Sequence, residues 1–423
     1  MEQSVKKEAL ASIEQKNESS VPTSILTKSE AIALTVQRKG SYKVSESESI
    51  QTLKNFSASV SDSKKSTIRT KSVTLKKSPK TGKDMYYEIV FEGDKGTGFS
   101  LLSADERAEA ILCYSEAGSI SDTLFNKSLK FCLALVDRYV EEQTKEDLDI
   151  EALASSAKRK MAVSKETMNA EMVQTKAIPP FDPEDPSPWY YVRTDIDTVV
   201  SERLKLVPGG WHQGSPFNDF LPYLPNSNER VAVGCAMIAV SQIMAYHKKP
   251  FRDYITTAMW PSMINNVNTS VELKNLMRDL FYDMVTSYDA IGTNSNINKA
   301  RSFLNSNGYT AGSTTSYSYT NIWNALNYGP TYIRGSLMNG DGHAWVVDGA
   351  RTTTLNYIDI YHYNNNGKII EHTGLAFSYT TKIVRYDWGW GVSNENTWFN
   401  DNVFLMRTGY DFKYDISMIS SVQ

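Results

Sequence analysis

The sequence is short of the features that settle a protein's class at once. It has three cysteines, Cys113, Cys132 and Cys235, in 423 residues. That is too few for a disulfide scaffold, and the odd number leaves at least one thiol unpaired. No CxxC occurs, and the five histidines (His212, His247, His343, His362, His372) lack metal-ligand spacing around any cysteine. No apolar run approaches the roughly 18 residues that span a bilayer. Opposite charges nearly cancel, 45 basic against 48 acidic for a net −3, so no chain-wide footprint for nucleic acid exists. Behind Met1 stand Glu2, Gln3, Ser4, Val5, Lys6 and Lys7 with no apolar stretch, so no signal peptide is visible. A cytosolic protein and an exported one whose signal is already removed both fit that start. What is present is aromatic: 24 Tyr, 15 Phe and 8 Trp exclude a disordered chain. At about 100–200 residues per domain, the length predicts two or three domains.

Residues 1–24 are polar. Residues 29–38 read as a short amphipathic helix with Ala31, Ile32 and Leu34 inward. From Lys64 to Lys83 there are eight basic residues and no acid. A polyanion site is one reading of that run; a solvated strand and turn is the one we prefer, because a Lys/Pro/Gly turn at 76–83 interrupts it. Strands are expected at 85–92 and 98–103, followed by the apolar stretch 109–114, a polar turn at 115–121 and an amphipathic helix at 124–143. Cys113 and Cys132 fall within these apolar patterns and read as buried, inert thiols. Residues 144–176 are mostly charged and small, with a basic cluster at Lys158, Arg159 and Lys160. Residues 179–188 hold five prolines, which fix the backbone and remove amide donors. This stretch reads as an exposed linker between two domains.

Four segments carry chemistry. In 231–250, VAVGCAMIAVSQIMAYHKKP, helical spacing places Cys235 in the first turn of a buried helix. Unpaired amides and the positive end of the helix dipole there lower a thiol's pKa toward the nucleophilic thiolate; a small core residue is the plainer alternative. In 330–350, PTYIRGSLMNGDGHAWVVDGA, His343 stands where a glycine turn enters an apolar strand. It is placed to act as general base and imidazolium partner, or else as a core histidine. In 382–391, KIVRYDWGWG, a strand ends at Asp387, which can orient a histidine, beside Trp388, which can shield that bond from water. In WHQGSPFN, 211–218, Gln213 lies 22 residues before Cys235 and can donate to an oxyanion. Each of the last two signals is weak alone.

Together, W-x-Q with Pro216 and Asn218, G-C-A at 234–236 with SQIMAYHKKP, GHAWVVDG at 342–349 and WGWG at 388–391 resemble the streptopain-like cysteine peptidases. The match covers most of 205–410, and 98–121 is similar to the family's propeptide. The resemblance implies an α+β fold: a papain-like domain, its Cys-bearing helix packed on an antiparallel His-bearing sheet, behind an α+β prodomain. It implies an inhibitory prodomain at 1–165, an activation region at 166–190 with cleavage near Lys158–Lys160, and a catalytic domain at 191–423. Cys235 would be the nucleophile, His343 its base, Gln213 the oxyanion donor, and Asp387 and Trp388 the support of His343. The expected protein is a secreted, surface or periplasmic endopeptidase, monomeric, acting on proteins and inhibited by its own prodomain, without metal or organic cofactor. Asp387 stands where the family usually has Asn, Val392 where it has Gly, and 36 residues separate Ala350 from Asp387. That excess is expected to form an extra hairpin from 355–364 and 368–384. A decayed, protein-binding family member and a Cys–His acyltransferase are the competing readings. In the zymogen, the prodomain is expected to hold the Cys–His pair apart.

Overall fold

Short-range signals place the elements. The computed structural model describes residues 26–60, 68–94, 96–120, 127–160, 189–289, 292–336, 342–365, 368–391, 397–404 and 416–423. In chain order these form α1 (Lys28–Lys39), α2 (Glu46–Val60), β1 (Arg69–Lys77), β2 (Asp84–Gly93), β3 (Gly96–Ser103), β4 (Ile111–Ser115) and α3 (Lys127–Gln143). A further helix, α4, covers 150–160. There follow β5 (Trp189–Leu204), α5 (Cys235–His247), α6 (Trp260–Asn265), α7 (Val271–Met284), β6 (Ser287–Tyr288), β7 (Thr293–Asn294), α8 (Ile297–Ser306), β8 (Thr314–Ser316) and α9 (Tyr319–Ala325). The chain ends in β9 (Thr331–Ser336), β10 (Gly342–Asn365), β11 (Lys368–Asp387), β12 (Thr397–Asn400), α10 (Asp401–Phe404) and β13 (Ser417–Ile419).

The expected strands and helices of the amino-terminal third stand within a few residues of their predicted places. The basic run is, where described, a solvated strand and turn: β1 is mostly exposed, and its lysines pair with acids on β2, as in Lys76–Glu88 at 3.1 Å and Lys77–Asp84 at 3.3 Å. Helix α2 was not expected. Its start is a reciprocal cap, in which Ser45 Oγ accepts the Glu48 N–H and Glu48 Oε2 accepts the Ser45 N–H at 2.7 Å. Helix α4 was likewise not expected in the charged stretch, and Lys158–Lys160 are helical. The proline-rich stretch lies outside the described residues, as do 337–341 and Val392. Cys113 is buried and unpaired.

The main sheet runs β1-β2-β3-β4-β12-β11-β10-β9-β13-β8, with β5 paired to β10; the β1-β2, β2-β3, β3-β4, β4-β12, β12-β11, β10-β9, β9-β13 and β13-β8 pairs are antiparallel. The mixed α+β class holds. The link between the amino-terminal strands and the rest is β12, which pairs Phe399 with Cys113 on one side and with Val384 on the other. Alternation along β9 and β10 explains the two cores. Tyr332, Ala344 and Val346 face the core built on α5, with Met237, Val240, Ile243, Leu280 and Phe303. Ile333, Trp345 and Val347 face a second core that holds Phe99, Leu101, Cys113, Leu135, Tyr386, Trp388 and Phe399. The His-bearing strand is therefore buried on both faces.

By internal contacts the chain forms two compact units. One contains residues 1–41, 147–199 and 354–380; the other contains 42–146, 200–353 and 381–423 and holds every predicted site residue. In the first, Glu30 at the capped start of α1 receives hydrogen bonds from Ser156 at 2.7 Å and Lys160 at 2.9 Å of α4. The expected hairpin is present as β10 and β11, longer than predicted because both strands run on from the strands around the site.

Candidate active site

Helix α5 begins at Cys235 because Gly234 ahead of it takes φ 98°, where a side chain would also collide with Met237. The rest of the helix is apolar on all sides and sinks into the core. Cys235 is thereby fixed in the first turn but only partly covered, with its sulfur toward β10. The Ala344 N–H points at Sγ from 3.4 Å. That bond joins the helix to the residue next after His343.

The electrostatics differ from expectation. Burial pushes the Cys235 thiol above its ordinary value, although the backbone N–H groups of Ala344, Ala236 and Cys235 itself and the Arg334 guanidinium draw it down. Desolvation of the thiolate outweighs the helix terminus that should favour it. Burial likewise pulls His343 down to about 4, opposed by a hydrogen bond to the Trp388 carbonyl. Burial thus works against the charged form of both groups, and no hydrogen bond joins the two side chains.

His343 sits in an aromatic box. Its ring stacks on Trp345 (5.9 Å between centroids, 13°) and Trp388 (6.3 Å, 28°) and tilts against Trp390 (5.6 Å, 32°). Its Nε2 stands 3.0 Å from the Trp388 carbonyl oxygen and 3.2 Å from the indole Nε1 of Trp390. One nitrogen cannot donate to the first and accept from the second at once. The tautomer with hydrogen on Nε2 satisfies the carbonyl and leaves Nδ1 as the basic nitrogen.

Asp387 does not orient His343 here, which corrects the expected arrangement. Its Oδ1 accepts the Gly389 N–H at 3.0 Å, and its Oδ2 is buried with no hydrogen-bond partner. Burial raises the carboxyl to about 6; the neighbouring Gln242 side chain draws it down and the Asp348 charge pushes it up. The strand turns after Asp387, so a backbone carbonyl one residue later takes the histidine. Trp388 is buried beside His343, and the second indole, Trp390, is an addition that the WGWG repeat could have signalled.

Gln213 is half-buried, and its carbonyl accepts the Val233 N–H at 2.9 Å, which holds its loop two residues from Cys235. Its side-chain amide makes no hydrogen bond among the described residues. The Trp211 carbonyl accepts the Gly391 N–H at 3.1 Å, which ties that loop to the end of WGWG. His212, not expected at the site, packs edge-on against Phe217 and accepts the Gly214 N–H, and burial lowers its pKa. No group of His, Cys, Asp or Glu that could hold a metal occurs among the described residues.

Residues 211–272 match the family model described as Peptidase C10, a span that includes Gln213 and Cys235 and stops before His343. Residues 41–140 match the model described as Spi protease inhibitor. Both fall where the motif order places a peptidase and its propeptide. Among solved structures the chain is similar to a fragment of prointerpain A from Prevotella intermedia, at 18% identity over 83% of this chain and 98% of that one, with a TM-score of 0.45. None of the curated proteins matches.

Proposed function

We propose that the chain is a cysteine peptidase proenzyme of the Peptidase C10 family, a secreted endopeptidase that works through Cys235 and His343. The observation that carries this reading is the bond from Ala344 N–H to Cys235 Sγ, which sets a thiol at a helix start beside the histidine strand. Residues 1–165 would be the inhibitory prodomain, 166–190 the activation region and 191–423 the catalytic domain.

With hydrogen on Nε2 held by the Trp388 carbonyl, His343 Nδ1 takes the proton of Cys235 Sγ. The thiolate attacks the peptide carbonyl carbon, and the oxyanion draws on the Cys235 N–H and the unengaged amide of Gln213. The C–N bond breaks as the imidazolium returns its proton to the leaving amine, leaving a thioester. Water, deprotonated by His343, then releases the acid and the thiol.

Cys235→Ala should abolish self-processing and labelling by a thiol-directed peptide probe. Maturation of that variant at the wild-type rate, with no other protease present, would exclude the assignment.

A further inference from the structure

The residues just ahead of the peptidase module make contacts that its motifs do not announce. Glu202 accepts hydrogen bonds from Arg351 Nε at 2.6 Å and from Arg351 Nη2. The Arg203 guanidinium lies 4.3 Å over the Trp323 ring and donates to the Trp323 carbonyl. The Lys205 N–H donates to the Asp348 carbonyl at 2.7 Å, and the Val207 N–H donates to Asp348 Oδ2 at 3.2 Å. That same oxygen receives Arg385 Nη1 at 2.6 Å. The Pro208 carbonyl accepts Gln242 Nε2 at 3.0 Å.

Besides α9, which carries Trp323, these contacts reach three elements around the site. Asp348 lies on β10, five residues after His343; Arg385 lies on β11, three before Trp388; Gln242 lies on α5, seven after Cys235, which at 3.6 residues per turn is the same face of the helix. Gly349 leaves room for the approach, since a side chain there would come within 2.8 Å of Leu204 and 3.0 Å of Arg385.

We infer that Glu202–Pro208 is a clasp that positions the Cys235 helix against the His343 strand, and that maturation cleavage therefore falls on the amino-terminal side of Glu202. The inference rests on the Cys235/His343 reading above. Asp348 and Gln242 are its positioning residues. Losing the segment would leave the Asp348 carboxylate and the Gln242 amide without their backbone partners, both deep in the protein. The nucleophile and base would then be free to drift, and a shift of about 1 Å costs on the order of 100-fold in rate. Cleavage within 202–208 is disfavoured because the bonds to be cut sit in backbone already paired or anchored.

Two measurements test this. The first is the amino terminus of the matured wild-type protein, by intact mass and sequencing. A terminus at or before Glu202 is expected, and a fully active form beginning after Pro208 overturns the clasp. The second compares Asp348→Ala, Asp348→Asn and Gln242→Ala in the full chain, matured in trans. Asp348→Ala should lower kcat roughly 10- to 100-fold with KM changed less than about threefold, and Asp348→Asn, which keeps an acceptor for Val207, should recover part of it. Wild-type kcat in both alanine variants overturns the proposal. If Asp348→Ala does not fold, Gln242→Ala and the mapped terminus still decide. Persisting hydrolysis by trans-matured Cys235→Ala would instead sink the catalytic reading, so the two failures are distinct.

Discussion

Asp348 and Asp387 lie on neighbouring strands, both fully inside the protein, and the surroundings treat them differently. Each has one oxygen without a hydrogen-bond partner. The bound oxygen of Asp348 faces a guanidinium, Arg385, and a backbone N–H, Val207. The bound oxygen of Asp387 faces a single backbone N–H, Gly389. Burial raises both carboxyls, but Arg385 is the first force drawing Asp348 down, whereas Asp387 also feels the Asp348 charge and rises to about 6. The Gly389 N–H, the Gln242 side chain and the more remote Arg385 charge do not offset the burial of Asp387, whereas a guanidinium in direct contact offsets more of it at Asp348. Asp348 is thus an ion-paired staple, and Asp387 is a carboxyl that is half neutral near pH 6.

The largest effect should come from taking away the cation. Arg385→Leu leaves the Asp348 charge buried without compensation and should cost about 3–5 kcal/mol of stability, read by urea unfolding of the full chain. A loss under about 1 kcal/mol would mean that Asp348 draws little from Arg385 and would erase the contrast.

Asp387→Asn should act in the opposite direction. The folded-state pKa of Asp387 is raised, from 3.8 to about 6. Its contribution is therefore fully present below pH 3.8 and is lost as pH rises through 6, where keeping the group ionised costs about 2–3 kcal/mol. The amide variant has no such slope. It should be more stable than wild type by up to that amount at pH 8 and show no gain at pH 4, as thermal midpoints across pH would reveal. Because Asp387 makes no bond to His343, Asp387→Ala, which removes the polar group altogether, should leave kcat within about threefold; loss of a group that orients a catalytic base costs on the order of 10⁴-fold. A collapse of that size would restore Asp387 as the orienting group.

This contrast also separates what could be read from the chain and what could not. Cys235, His343 and Trp388 were legible because helical spacing, a glycine turn before an apolar strand and a WGWG run are local patterns. The partner of His343 was not, because it is the main-chain oxygen of Trp388, and every residue has one. The shift of the Cys235 thiol was read with the wrong sign: the helix terminus is visible in sequence, whereas the burial that outweighs it comes from β10 and the core built on α5. Helix α2 was missed although its Ser45–Glu48 cap and the spacing of Ile50, Leu53 and Phe56 announce it. Its polar remainder hid the stripe. The contacts of 202–208 join residues up to 149 positions apart and leave no local trace.

The smallest effect should come from Glu30, a third buried carboxylate, which lies in the other unit. Here burial works to raise the group, but hydrogen bonds from Lys160, the Thr27 N–H and hydroxyl, and Ser156 hold it down to about 2. Its sign is the reverse of that for Asp387: the contribution is present above pH 4.5 and lost as pH falls through 2. Lys160 is substantially solvent-exposed, so its charge is screened, and most of the benefit is that of a satisfied helix start. Glu30→Gln keeps the shape and an acceptor and should cost about 1 kcal/mol at pH 7, measured by unfolding, with the difference shrinking below pH 4. A cost as large as that of Arg385→Leu would show that the Lys160 charge, and not the cap, holds α1 to α4. The rule drawn from Asp348 would then extend to a carboxylate whose cation stands at the surface.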